Sequence, residues 1–149
     1  MRSSSRFSVS AGLIAALLLV TACSSGSAGG ITVSGVWARP SLGSAEPTAA
    51  YLTITSTSGQ ADRLVSVSSP IAGAIEIHQT TTDATGMTGM DAMSGIDIAP
   101  GATVTLDPGG MHLMVTGLTK PLKPGDTLEL HLVFQRAGTI VVSAEVRQG

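Results

Sequence analysis

Leu128, Leu130, Leu132 and Phe134 alternate with Glu129, His131 and Val133, and Ile140, Val142, Ala144 and Val146 repeat the pattern against Thr139, Ser143 and Glu145. An apolar period of two belongs to a half-buried strand and is incompatible with a helix, whose apolar face recurs every three to four residues. Shorter stretches of strand-forming residues precede these two, at 31–37, 49–56, 62–68, 74–80, 96–98, 102–106 and 112–116. Gly, Pro, Ser and Asp punctuate them, as in Pro108-Gly109-Gly110 and Pro124-Gly125-Asp126. Many short strands at regular spacing predict an all-β fold, a Greek-key sandwich or barrel. No amphipathic helix of useful length is visible.

The first 22 residues stand apart from this pattern. Arg2 and Arg6 precede the apolar run 11–22, AGLIAALLLVTA, which has the form of a secretory signal. The run is well short of the roughly 20 residues a spanning helix needs. Cys23, the only cysteine, follows directly, and the order Val20-Thr21-Ala22-Cys23 resembles a bacterial lipoprotein box, in which the thiol is acylated and the chain cut before it. The bland alternative is ordinary cleavage that leaves a free thiol. Lipidation is the better reading, because an orphan reactive thiol in a secreted chain is uncommon. Acylation would tether a soluble domain to a membrane surface at about 0.8 kcal/mol per buried methylene. Residues 1–22 are thus expected to be a signal peptide, 23–30 a lipid-anchored flexible Ser/Gly/Ala tether, and 31–149 the β domain, held outside the cytoplasm at the cell membrane, in a periplasm or on the outer face.

Charge narrows the partners. Of eight basic residues Arg2 and Arg6 fall in the signal, leaving six against ten acids. The acids are scattered, and the mature chain keeps a single Trp, Tyr and Phe, so neither nucleic acid nor a stacking platform for bases is expected.

The residues that carry chemistry are His78, Met90, His112 and Met114. In an extended strand His112 and Met114 leave the same face, about 6.6 Å apart along the chain, while Met111, Leu113 and Val115 face the other way. His78 shares a face with Glu76, opposite Ile75 and Ile77. Met90 lies in the stretch DATGMTGMDAMSG, where Gly86, Gly89 and Gly95 disfavour a helix and predict a mobile loop. Two imidazoles with two thioethers form a soft donor set suited to Cu(I), and the set lacks the thiolate of an electron-transfer copper site. Met87 and Met93 are candidate accessory ligands. Taken singly, an exposed histidine is usually just solvated and a methionine usually fills a gap, so the combination is what carries weight. His131 shares a row with Glu129 and reads as a surface residue. A zinc hydrolase would prefer N, O and thiolate donors with an accompanying catalytic group, and none is apparent.

The spacing resembles the PCuAC family of periplasmic copper chaperones. Their motif is a His, an optional Met, ten residues, a Met, twenty-one residues, and then His-x-Met; here it runs His78, Gln79, residues 80–89, Met90, residues 91–111, and His112-Leu113-Met114. Gln79 replaces the optional methionine. Trp37-Ala38-Arg39-Pro40, Ala49-Ala50-Tyr51-Leu52, Asp62-Arg63-Leu64-Val65 and Pro108-Gly109-Gly110 are similar to the family too, and the likeness spans about 36–146. The resemblance implies a cupredoxin-like β-barrel that is not an enzyme. It implies one Cu(I) held by His78, Met90, His112 and Met114, and delivery of that copper to a cytochrome oxidase subunit or an assembly factor. The competing expectation is a surface lipoprotein of immunoglobulin-like shape that binds no metal and serves as an interaction module.

Overall fold

Residues 25–149 are described in the computed structural model; the signal segment and Cys23 lie outside them. Eleven strands make up the described chain: β1 Gly26–Ala28, β2 Ile31–Ala38, β3 Thr48–Ser56, β4 Asp62–Ser68, β5 Ala74–Thr82, β6 Thr88–Met93, β7 Ile96–Ile98, β8 Thr103–Leu106, β9 Met111–Thr116, β10 Thr127–Phe134 and β11 Gly138–Val146. Among the described residues there is no helix. The strands follow the order β6-β5-β9-β3-β2-β11-β10-β4-β7, with β1 on β2 and β8 on β3. Every pairing is antiparallel except β11 with β2, where Glu145 and Val146 run alongside Trp37 and Ala38. The sheet curls far enough to lay β4 against β5. The result is the all-β architecture that the alternation predicts, in the cupredoxin-like form that the resemblance implies.

The alternation is the cause of the curl. Leu128, Leu130, Leu132 and Phe134 of β10 and Ile140, Val142, Ala144 and Val146 of β11 are all buried, and they meet Ile31, Val33, Leu52, Ile54, Leu64, Leu106 and Leu113 in one apolar interior. Burying a side chain of this size stabilises by about 1.5–3 kcal/mol, so a one-residue slip that turned such a strand over would forfeit several of these at once. A second lock sits at the start of β4. The carboxylate of Asp62 accepts backbone N–H groups from Arg63 at 2.8 Å, Arg136 at 2.9 Å and Ala137 at 3.0 Å, joining the start of β4 to the β10–β11 turn. Arg63 forms an ion pair with Asp97 across β4 and β7.

Two elements differ from expectation. Gly26–Ala28 is not a loose tether: it pairs with Ile31–Val33 through a two-residue turn at Gly29 and Gly30. Both glycines have positive φ, 56° and 82°, which a tight hairpin of this hand needs and side-chain-bearing residues resist. Thr88–Met93 is not a mobile loop either. It forms β6, pairing with β5 from Thr82↔Thr88 to Ile77↔Met93. Glycine discourages a strand but does not forbid one when a neighbour offers a complete row of hydrogen-bonding groups.

β8 and β9 are two parts of one line. Leu106 stands opposite Leu52 and Leu113 opposite Ala50, so the residues from Asp107 to His112 face Tyr51 alone. The chain buckles out there through Pro108 and Gly109 and closes with Asp107 N–H donating to Met111 O at 3.0 Å and Gly110 N–H to Asp107 O at 3.0 Å. Gly109 takes φ 88°, the left-handed region that favours glycine, so the buckle in this form draws on that residue.

Candidate metal centre

β6, β5 and β9 are adjacent, and their register gathers the candidate ligands. His78 is the direct cross-strand partner of His112, and Glu76 is that of Met114. Met90 stands opposite Thr80, one diagonal step from His78. Directly opposed residues share a face with Cβ atoms about 4.5–5.5 Å apart, and diagonal neighbours lie about 7–8 Å apart. All four side chains therefore rise from one face of three strands. The other face carries Ile77, Leu113 and Val115 into the core. Met90, His112 and Met114 together line a cleft of about 430 Å³, and the rings of His78 and His112 lie 5.8 Å apart, tilted by 56°.

The polarity of the two imidazoles is set by their neighbours. Gly110 O lies 3.2 Å from His112 Nδ1, and a carbonyl only accepts, so Nδ1 carries the proton. Glu76 Oε2 lies 3.3 Å from His78 Nε2, and a carboxylate likewise takes the proton-bearing nitrogen. In the neutral rings His112 Nε2 and His78 Nδ1 are left as lone-pair donors. Both atoms are buried with no hydrogen-bond partner. A buried polar atom without a partner costs about 1–3 kcal/mol, and two such atoms on adjacent rings are the arrangement a soft cation relieves. His112 is only 4% exposed, although its side chain leaves the face of β9 opposite Leu113 and Val115. The cause is the buckle at Pro108 and Gly109 together with Pro40 and Pro47, which wall the cleft.

The accessory candidates fare differently. Met93 pairs with Ile77 and packs against the core, so it lies on the wrong face to join the cleft. Parity explains this: it lies three positions on from Met90, and an odd step along a strand turns the side chain over. Met87 sits 71% exposed in the β5–β6 turn, where its N–H donates to Asp83 Oδ1, and it does not line the cleft. Met111 packs against the core. His131 is on β10, paired with β4 and β11, and bonds to Glu129 at 2.6 Å. No cluster of three or more His, Cys, Asp or Glu side chains able to hold a metal occurs among the described residues.

Sequence reasoning missed the walls. Arg39, Pro40 and Pro47 come from the segment that joins β2 to β3, and Tyr51 from β3. Arg39 N–H donates to Ala49 O at 2.9 Å, and Thr48 Oγ1 donates back to Arg39 O at 2.9 Å, so this segment is pinned at its base. Ser41 holds its middle, giving N–H to Leu122 O and accepting from Leu122 N–H. The available signals were Arg39-Pro40 and Pro108-Gly109-Gly110, legible as turn chemistry but not as neighbours.

Over residues 31–146 the chain matches the LpqE-like family, described as "Putative lipoprotein LpqE-like". The "Putative lipoprotein Lxx21020" of Leifsonia xyli subsp. xyli is 33% identical over 120 residues, covering 80% of this chain and 71% of that protein. Among solved structures, the copper-bound PCuAC domain from PmoF2 superposes with a TM-score of 0.70 at 25% identity, over 84% of this chain and 98% of that domain. The solution structure of CuI-DR1885 from Deinococcus radiodurans gives 0.59 at 34% identity, over 78% of this chain and 79% of that one.

Proposed function

Because the chain belongs to the LpqE-like family and is a copper chaperone of the PCuAC type, we propose that it carries one Cu(I) between His78, Met90, His112 and Met114 and hands it on by ligand exchange. The observation that carries the assignment is the pair of buried, unpartnered nitrogens, His78 Nδ1 and His112 Nε2, on cross-strand neighbours. Copper is cargo here, not a resident cofactor. A d10 ion has little geometric preference, and the donors suit its softness.

The four donors differ in how firmly they are held. His112 is buried and tied to Gly110 O, and Met114 follows it on β9, a strand paired on both sides by β3 and β5. Met90 is 54% exposed on β6, which has a neighbour on one side only. An incoming donor displaces Met90 first and the imidazoles last. Direction of transfer then follows relative affinity, with no bond-making barrier of the kind an enzyme lowers.

The handover is assigned to the dinuclear copper centre of cytochrome oxidase, through one of its subunits or an assembly factor. The domain works outside the cytoplasm, anchored through acylated Cys23. The family's lipoprotein description supports the anchor. Anaerobic titration of the mature domain with Cu(I) against a colorimetric chelator tests the site. One equivalent should bind, weakened by each of the substitutions His78→Ala, Met90→Ala, His112→Ala and Met114→Ala. Unchanged affinity in His112→Ala and Met114→Ala would instead select the metal-free interaction module.

A further inference from the structure

Arg39 stands in the wall of the cleft beside Met90, His112 and Met114, and no carboxylate lines that cleft. Its backbone is fixed on both sides by the bonds to Ala49 and Thr48, and its guanidinium lies 6.0 Å from the centre of the Tyr51 ring. Among the described residues it forms no ion pair, in a chain where acids outnumber bases ten to eight. Charge makes the placement informative. Four neutral donors leave the charge of Cu(I) in place, Glu76 beside His78 offsets it on β5, and the Arg39 cation in the cleft wall opposes that offset. Arg39 therefore works against copper retention, and its position calls for another use. A planar guanidinium laid on an aromatic face, with its donors unpaired, is suited to a bidentate carboxylate.

We infer that Arg39 is the recognition point for a carboxylate on the copper-accepting protein, which holds the acceptor's soft donor over the cleft where Met90 is displaced. The inference rests on the Cu(I) reading above and adds the chemistry of the partner: an acidic side chain next to the incoming metal ligand. The contact is a fixed positive charge beside the cleft on a chain of net negative charge. It therefore discriminates in a way overall charge does not, because overall charge disfavours an acidic partner.

The test uses the Cu(I)-loaded mature chain and two short synthetic peptides with the same paired cysteines. One has Asp and Glu flanking the cysteines, and the other has Asn and Gln at those positions. Transfer is followed by stopped flow under anaerobic conditions, and Cu(I) affinity is measured separately against a chelator. The unsubstituted chain should load the acidic peptide about fivefold faster than its amide twin, an advantage that shrinks as ionic strength is raised from about 0.05 to 0.5 M. Arg39→Gln should lose the preference while binding Cu(I) at least as tightly as before, and Arg39→Lys should keep part of it through charge without the planar fork. Equal rates for the two peptides, or a preference that survives in Arg39→Gln, overturns the inference while leaving the copper site standing. Failure of the unsubstituted chain to bind Cu(I) at all removes the reading beneath it.

Discussion

His112→Leu should make the metal-free protein more stable while destroying its response to copper. His112 is 4% exposed and its Nε2 has no partner, so the folded apo state bears a desolvation cost of about 1–3 kcal/mol at that atom. Leucine is close in volume and removes the nitrogen. The substitution also loses the bond from Nδ1–H to Gly110 O, worth about 1 kcal/mol, but that carbonyl keeps the Thr80 N–H at 3.1 Å and is not stranded. The balance is a gain of about 1 kcal/mol, or a rise of about 3–5 °C in the apo Tm for a domain of this size. Copper reverses the ranking, because a ligand at a hundred times its Kd stabilises a native protein by about 2.7 kcal/mol, which His112→Leu forgoes. Urea unfolding of both apo proteins, followed by thermal melts with and without Cu(I), reads both effects. An apo variant weaker than the unsubstituted chain by more than about 1 kcal/mol refutes the idea that the unpaired nitrogen is a stored cost. A copper-induced rise in Tm as large as that of the unsubstituted chain refutes the ligand assignment.

Three further outcomes follow from the same geometry. Met90→Ala and Met114→Ala should each weaken Cu(I) by at least about tenfold, with Met90→Ala also speeding release to a chelator, since its strand is held on one side only; competition titration and dissociation kinetics separate the two. Asp62 is desolvated by burial, which raises its pKa, but the N–H groups of Arg136, Arg63 and Ala137 and the Arg136 charge outweigh this and hold it below the ordinary aspartate value. Its folded pKa is thus depressed, so its stabilisation is present above about pH 4 and lost as pH falls through the folded value; Asp62→Asn should flatten the acid limb of the Tm profile below about pH 4. Gly109→Ala puts a side chain at φ 88°, so it should lower stability by about 1–2 kcal/mol and shift the histidine resonances of the apo protein, read by denaturant melts and NMR.

The strands legible in the sequence are those with one wet and one dry face. β10 and β11 announce themselves because every second residue is buried, and the face assignments of His78, His112 and Met114 follow from the same parity. β6 was invisible for the opposite reason. Thr88 to Ala92 are all exposed, so no apolar alternation marks the element, and its backbone pairing with β5 alone makes it a strand. β1, with a small-residue sequence and one partner, was hidden in the same way. Spacing in the motif could place Met90 near the histidines only by resemblance; the register at Thr80↔Met90 gives the physical route. The separation of Met93 from Met90 needs that register too, since odd and even positions mean nothing in a segment taken for a loop. Burial of His112 and the approach of Arg39 depend on segments that meet only once the sheet has curled. No local pattern encodes them.

The buckle between Leu106 and Met111 separates two design problems that loops usually entangle. The segments before and after it each pair with β3 on their own, Leu106 with Leu52 and Leu113 with Ala50. A lengthened or rewritten excursion at Asp107–Gly110 would thus alter the ceiling above the imidazole without unseating a single core leucine. Variation among such domains in what they admit to the cleft, and how tightly they shield it, has a natural home in those few residues, where evolution or an engineer could remodel access while the scaffold stays untouched.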